Sequence, residues 1–153
     1  VSLEQGAKAL ENLAISAMRL EVRRSPDGVI VVNDSYNASP ASMKGALDTL
    51  AHMYCSGQRV AILGTMLELG EIAEEAHLEV GRHAAESAQT LIFIGEYAEL
   101  MREGAGRGEI YPSVDDFLAS DPAFSDGDLV LVKASRGLRF ERIAEKLLKG
   151  DHA

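Results

Sequence analysis

The sequence predicts an α/β fold, a three-layer Rossmann-like sheet of five parallel strands plus one antiparallel edge strand. Short apolar runs at Val29–Val32, Arg59–Leu63, Thr90–Ile94 and Asp128–Val132 lack the polar alternation of a half-solvated strand. The stretches between them place apolar residues at helical spacing. Strand and helix alternate throughout, and strands joined by helices run parallel, cross over right-handed and have both sheet faces covered. At 153 residues and 46% hydrophobic content, the chain can bury one respectable core.

In chain order, Ser2 opens a short amphipathic helix with Leu3, Ala7, Leu10 and Leu13 on one stripe. Nothing in the rest of the pattern offers this helix a partner. Arg19–Arg24 alternates, and Ser25-Pro26-Asp27-Gly28 is a turn, so a hairpin lays an edge strand against Val29–Val32. Arg23 and Arg24 then read as edge charges that block further pairing. Ser39-Pro40 starts a helix, with Ser as cap and Pro at the first helical position. Its inward face is expected to carry Met43, Leu47, Leu50, Ala51 and Tyr54, and it stops before Gly57. Arg59–Leu63 is the next strand, ended by Gly64.

Glu71–Ala88 follows as an alanine-rich helix with Ala76, Val80, Ala84 and Ala88 on its stripe. Its His77 and His83 fall on different faces with no Cys or second carboxylate cluster beside them, so they are read as surface histidines and no metal site is expected. After Thr90–Ile94, Gly95-Glu96 opens a short helix through Met101. Gly104, Gly106 and Gly108 read as a flexible turn whose spacing is neither a dinucleotide fingerprint nor a phosphate loop. Glu109–Tyr111 is a short fourth strand, and Ser113 starts a helix with a capping-box pattern. Asp128–Val132 delivers Lys133-Ala134-Ser135-Arg136-Gly137 to the carboxyl edge of the sheet. A terminal helix with Phe140, Ile143, Ala144, Leu147 and Leu148 facing inward completes the chain.

Chemistry gathers at the strand ends. Asp34, Ser35, Tyr36 and Asn37 crowd a carboxylate, a hydroxyl, a phenol and an amide into the loop after the first parallel strand, which is where ligands bind in open α/β sheets. The alternative is that Asp34 and Ser39 only satisfy turn and cap groups. The loop Gly64–Glu71 is too apolar for an ordinary solvated loop and packs on something, either the core or a site. Lys133 at the end of a buried strand is costly unless its ammonium snorkels to water or meets an anion, such as a ligand carboxylate. A formal net charge of −9 argues against nucleic acid or an anionic membrane as partner and leaves room for a local positive pocket. The single cysteine, Cys55, cannot form an intramolecular disulfide. With no apolar run of membrane-spanning length and no visible signal peptide, a cytoplasmic location is expected.

Three separated motifs carry a resemblance. Asn33-Asp34-Ser35-Tyr36-Asn37-Ala38-Ser39-Pro40-Ala41-Ser42-Met43, then Ala61-Ile62-Leu63-Gly64-Thr65-Met66-Leu67-Glu68-Leu69-Gly70-Glu71, then Val130-Leu131-Val132-Lys133-Ala134-Ser135-Arg136 resemble, in that order, the C-terminal domain of the Mur ligases. Within that family the wording is most similar to the members that join D-alanyl-D-alanine to UDP-N-acetylmuramoyl-tripeptide. The resemblance runs from about Arg19 to Leu148. It implies that residues 1–18 are the tail of, or linker from, a central ATPase domain missing from the chain, and that residues 19–150 are the Mur ligase C-terminal domain.

By that resemblance, ATP with Mg²⁺ phosphorylates the tripeptide's C-terminal carboxylate on the central domain, and the amine of D-alanyl-D-alanine attacks the acyl phosphate. Closure of this domain brings Asp34, Tyr36 and Asn37 to the ribose and adenine. It brings Lys133, Ser135 and Phe140 to the dipeptide, with the loop carrying Thr65 and Glu68 bordering it. The implied partners are the UDP-linked tripeptide, the dipeptide and the protein's own central domain. Met18, where the family pattern has Gly before Arg, and Thr65, where Asp is expected, depart from it. No Gly-x-x-x-x-Gly-Lys-Ser/Thr occurs, so triphosphate and metal would be held outside this chain, no catalytic residue is assigned within it, and alone it is not expected to catalyse. A folylpolyglutamate synthetase shares the architecture and the ATP-dependent ligation, but Tyr36-Asn37 and Met66–Gly70 favour the cell-wall enzymes. A flavodoxin-like or receiver-like module would suit the α/β pattern, yet a receiver needs a phosphoacceptor Asp after its third strand, where this chain has Gly95-Glu96.

Overall fold

The computed structural model describes residues 20–150. The N-terminal helix expected from Ser2, and Met18, lie outside the described residues. Six strands form one sheet in the order β1-β2-β6-β3-β4-β5. They are β1 (Glu21–Arg24), β2 (Ile30–Asp34), β3 (Arg59–Gly64), β4 (Thr90–Ile94), β5 (Glu109–Tyr111) and β6 (Leu129–Lys133). β1 pairs antiparallel with β2, and every other pairing is parallel, as the sequence predicts. The helices are α1 (Pro40–His52), α2 (Ala73–Ser87), α3 (Ala98–Ala105), α4 (Val114–Ala119) and α5 (Glu141–Lys149), with 3₁₀ turns at Gly70–Ile72 and Arg136–Leu138.

Successive residues of a strand serve opposite faces, so the unbroken apolar runs feed two cores. Val32, Leu63, Leu91, Phe93 and Leu131 pack with Met43, Leu47 and Leu50 of α1, Val80 and Ala84 of α2 and Met101 of α3. Val31, Ile62, Ile92, Val130 and Val132 pack with Phe117 of α4 and Phe140, Ile143 and Leu147 at and within α5. The hairpin before β2 forms as expected: Ser25 Oγ accepts the Val29 N–H at 3.0 Å, and Gly28 takes a positive φ of 87°. Ser39 caps α1 in a complete capping box with Ser42.

Four expectations are corrected. His77 is wholly buried, because it lies on the same stripe of α2 as Ala73 and Val80. His83 is half-buried and meets Asp48 at 2.7 Å. Tyr54 is 71% exposed, since α1 has already ended at His52. Gly104 belongs to α3 rather than to a flexible turn; a Cβ there would sit 2.0 Å from the Leu78 carbonyl oxygen, as one on Gly81 would from that of Met101. The two glycines let α2 and α3 approach at backbone contact. Beyond these four, the chain after Ser135 makes the 3₁₀ turn Arg136–Leu138 before α5 begins at Glu141.

Candidate functional site

All five parallel strands deliver their carboxyl ends to one edge, where the three motifs meet. Asp34 and Lys133 are the last residues of β2 and β6 and are register partners, so their side chains share a face. Lys133 Nζ donates to Asp34 Oδ2 at 2.7 Å and to the Asn37 carbonyl at 2.9 Å. The other Asp34 oxygen accepts the Leu20 N–H at 3.3 Å. At 2% side-chain exposure the lysine does not snorkel; its charge is met inside the protein. These groups line a cavity of about 530 Å³ between the strand ends and α1, floored by Gly45 and Ala46 and edged by Ser42 and Thr49.

A second motif pair is stitched by Ser135. Its N–H donates to the Thr65 carbonyl at 3.2 Å, and its Oγ accepts the Leu67 N–H at 2.9 Å, tying the loop after β6 to the loop after β3. Beside this seam lies a cavity of about 420 Å³, lined among others by Thr65, Leu67, Gly95, Glu96, Arg139, Phe140 and Arg142. Gly64 lies under the Phe140 ring, where a Cβ would come within 2.4 Å of Cζ, and Gly95 approaches Thr65 so closely that a Cβ would meet Oγ1 at 2.9 Å. Glycine at position 64 is therefore a packing requirement, and at position 95, with φ 110°, a conformational one. Arg139 is exposed and left-handed at φ 58°, while Arg142 meets Asp115 at 2.7 Å. Arg136 stands over the Tyr36 ring at 5.2 Å. With Lys133 paired to Asp34 and Arg142 to Asp115, Arg136 and Arg139 are the cations this edge presents outward, on a chain of net charge −9.

Asp34, Asn37 and Lys133 converge on the first cavity, and Thr65 and Phe140 on the second. Tyr36 sits with Arg136 between the two loops, and Ser135 holds backbone. Glu68 is exposed, has a φ of 62°, and lines neither cavity. Lys133, expected beside a dipeptide carboxylate, faces the first cavity, because its register with Asp34 aims it toward α1. Glu96, Arg139 and the buried His77 were not singled out from sequence as site residues; for His77 the signal was present in its spacing from Ala73 and Val80. Burial lowers the His77 pKa from its ordinary value, against the raising effects of its bond to Ala73 and of the Glu96 charge. A larger cavity, about 590 Å³, lies toward the amino ends of the strands around Gln58, Thr90 and Asp128 and holds none of these residues. Among the described residues, no three His, Cys, Asp or Glu side chains group as a metal site, and no helix is long and apolar enough to cross a membrane.

Comparison with known proteins gives the following. The family model for the Mur ligase glutamate ligase domain matches residues 18–136. The UDP-N-acetylmuramoyl-tripeptide–D-alanyl-D-alanine ligase of Bacillus subtilis is 36% identical over 97% of this chain and 34% of its own length. MurF ligase from Thermotoga maritima, solved in complex with ADP, superposes with a TM-score of 0.72 at 31% identity, over 89% of this chain and 31% of that one. A bifunctional folylpolyglutamate synthase/dihydrofolate synthase superposes with a TM-score of 0.64 at 14% identity, a likeness of fold alone. The chain spans about a third of the length of the curated relatives it matches.

Proposed function

This chain belongs to the Mur ligase family, matching its glutamate ligase domain, and from that premise we propose that it is the C-terminal domain of an ATP-dependent ligase joining D-alanyl-D-alanine to UDP-N-acetylmuramoyl-tripeptide. The observation that carries the reading is the convergence of three distant motifs on one sheet edge, through the 2.7 Å Asp34–Lys133 pair and the 2.9 Å Ser135–Leu67 bond. Residues 1–18 are then the linker from a central ATPase domain, and the protein works in the cytoplasm, where ATP and the UDP-linked precursor are found.

In this reading the first cavity takes the ribose and adenine of ATP, with Asp34 and Asn37 at its wall and Tyr36 nearby. Lys133 neutralises Asp34 and holds the Asn37 carbonyl, so it shapes the nucleotide cavity rather than touching the dipeptide. The second cavity takes D-alanyl-D-alanine between Thr65 and Phe140. Arg139 suits the dipeptide carboxylate and Glu96 its amine end, a charge arrangement fit for a zwitterion. Ser135 holds the seam between the cavities. Phosphates and Mg²⁺ fall to the central domain.

The chemistry is acyl transfer by positioning. The dipeptide's ammonium first gives one proton to solvent; the free amine then attacks the acyl carbon of the tripeptide's acyl phosphate, the amide C–N bond forms, the C–O bond to phosphate breaks, and phosphate leaves while the nitrogen's second proton passes to solvent. Aligning the two reactants removes the entropic cost of their encounter, and domain closure keeps water from the acyl phosphate. The test is phosphate release by the full-length protein with each substrate omitted in turn. Turnover should require ATP, the UDP-linked tripeptide and D-alanyl-D-alanine together, and the 153-residue chain alone should give none. Turnover with glutamate and a folate in place of the peptide substrates would refute the reading.

A further inference from the structure

His77 is a buried side chain that the proposed function leaves unused. Both ring nitrogens are engaged: Nε2 accepts the Met66 N–H at 3.0 Å, which leaves Nδ1 to donate to the Ala73 carbonyl at 2.6 Å. The ring lies flat on Tyr97, with centroids 4.1 Å apart and planes 9° apart. Ala73, Ala76, Val80 and Ala84 fill the rest of this stripe of α2 with apolar groups. What the imidazole adds there is an acceptor reaching from the helix to the backbone of the loop after β3.

That loop is held at two consecutive amides by two different elements. Met66 N–H goes to His77 on α2, and Leu67 N–H goes to Ser135 after β6. Met66 is 1% exposed, so its N–H has no water to turn to if the imidazole is removed. Thr65 and Leu67, on either side of Met66, line the second cavity. The groups facing the ring are Tyr97, stacked on it, and Glu96, whose charge acts on it from the rim of that cavity.

We propose that His77 is a positioning residue: by accepting the Met66 N–H it fixes the path of the loop and so sets the wall that Thr65 and Leu67 present to the bound amino compound. The inference rests on the reading of the second cavity as the dipeptide's. Two variants isolate the hydrogen bond. His77→Phe keeps a flat ring for Tyr97 and loses the acceptor, while His77→Gln carries an amide oxygen near the place of Nε2. Should His77→Phe fail to fold, His77→Asn, whose amide stops short of Met66, replaces it.

Two measurements on the full-length enzyme apply: hydrogen exchange of peptides covering residues 64–71, and KM for D-alanyl-D-alanine and for ATP. His77→Phe should speed loop exchange about tenfold and raise the dipeptide KM about tenfold, with KM for ATP within about twofold of the parent. His77→Gln should return both values to within about threefold. Loop exchange equal to the parent's in His77→Phe overturns the proposal, as does an equal rise in both Michaelis constants. Faster exchange with an unchanged dipeptide KM upholds the clamp and counts instead against the cavity as the dipeptide's.

Discussion

Replacing Lys133 by Met tests whether the buried ion pair holds the carboxyl edge together. Met keeps most of the stem packing and removes the ammonium. Asp34, 11% exposed, would keep the Leu20 N–H at 3.3 Å and lose its cation, and the Asn37 carbonyl would lose the Lys133 donor. Removing one partner of a buried pair costs roughly 3–5 kcal/mol, mostly through the charge left behind. With a urea slope of about 2 kcal/mol per M, the midpoint of the 153-residue chain should fall by roughly 1.5–2.5 M, read by far-UV circular dichroism. Asp34→Asn alone should cost about 3 kcal/mol, since a carboxamide offers one acceptor where the carboxylate offers two. The double variant should lose at least about 1.5 kcal/mol less than the sum of the singles, because neither charge is stranded in it. Additive losses, or a Lys133→Met midpoint within about 0.3 M of the parent, would refute the reasoning and leave the lysine indifferent to Asp34.

Gly81→Ala should destabilise by about 1–3 kcal/mol in the same assay, although Gly→Ala inside a helix ordinarily stabilises, because its Cβ would land 2.0 Å from the Met101 carbonyl oxygen. Gly45→Ala should stabilise by about 0.5–1 kcal/mol, as a Cβ there meets nothing within 4 Å. Burial holds the His77 pKa below its ordinary value of 6.5, so between the two values the unfolded chain binds more protons than the folded one. That contribution is full above about pH 6.5 and is lost as pH falls below it; urea midpoints at pH 7.5 and 5.5 should therefore drop more in the parent than in His77→Phe. Ser135→Ala in the full-length enzyme should raise the dipeptide KM about tenfold by orphaning the Leu67 N–H, with ATP unaffected in steady-state assays.

The fold was legible because each buried strand is an unbroken apolar run and each helix shows its stripe. The pairing of Asp34 with Lys133 was not, since the two are 99 positions apart and meet only because β6 inserts between β2 and β3. Periodicity predicts strands, not their order. The excess apolarity of Gly64–Glu71 did signal packing: Met66 is buried while Leu67 remains 44% exposed beside the second cavity. His77 was misread because imidazole is commonly exposed, although its register with Ala73 and Val80 placed it inward. Gly104 was misread because three nearby glycines suggest a turn, whereas α3 needs this one to lie against the Leu78 carbonyl.

The central claim is that one sheet edge serves two ligands in adjoining cavities, ATP beside Asn37 and D-alanyl-D-alanine beside Arg139. Michaelis constants of the full-length enzyme for both substrates, in Asn37→Ala and Arg139→Ala, test it most directly, because both residues are exposed and the one bond either change removes from the described structure beside the core is that which Asn37 Oδ1 accepts from the Ala38 N–H, which a matching urea midpoint checks. Arg139→Ala should raise the dipeptide KM by about ten- to a hundred-fold, the worth of a charged hydrogen bond, and leave ATP unchanged, while Asn37→Ala should raise KM for ATP alone, by roughly three- to ten-fold. Michaelis constants that rise together in both variants, or that rise for the opposite substrate, would contradict the account.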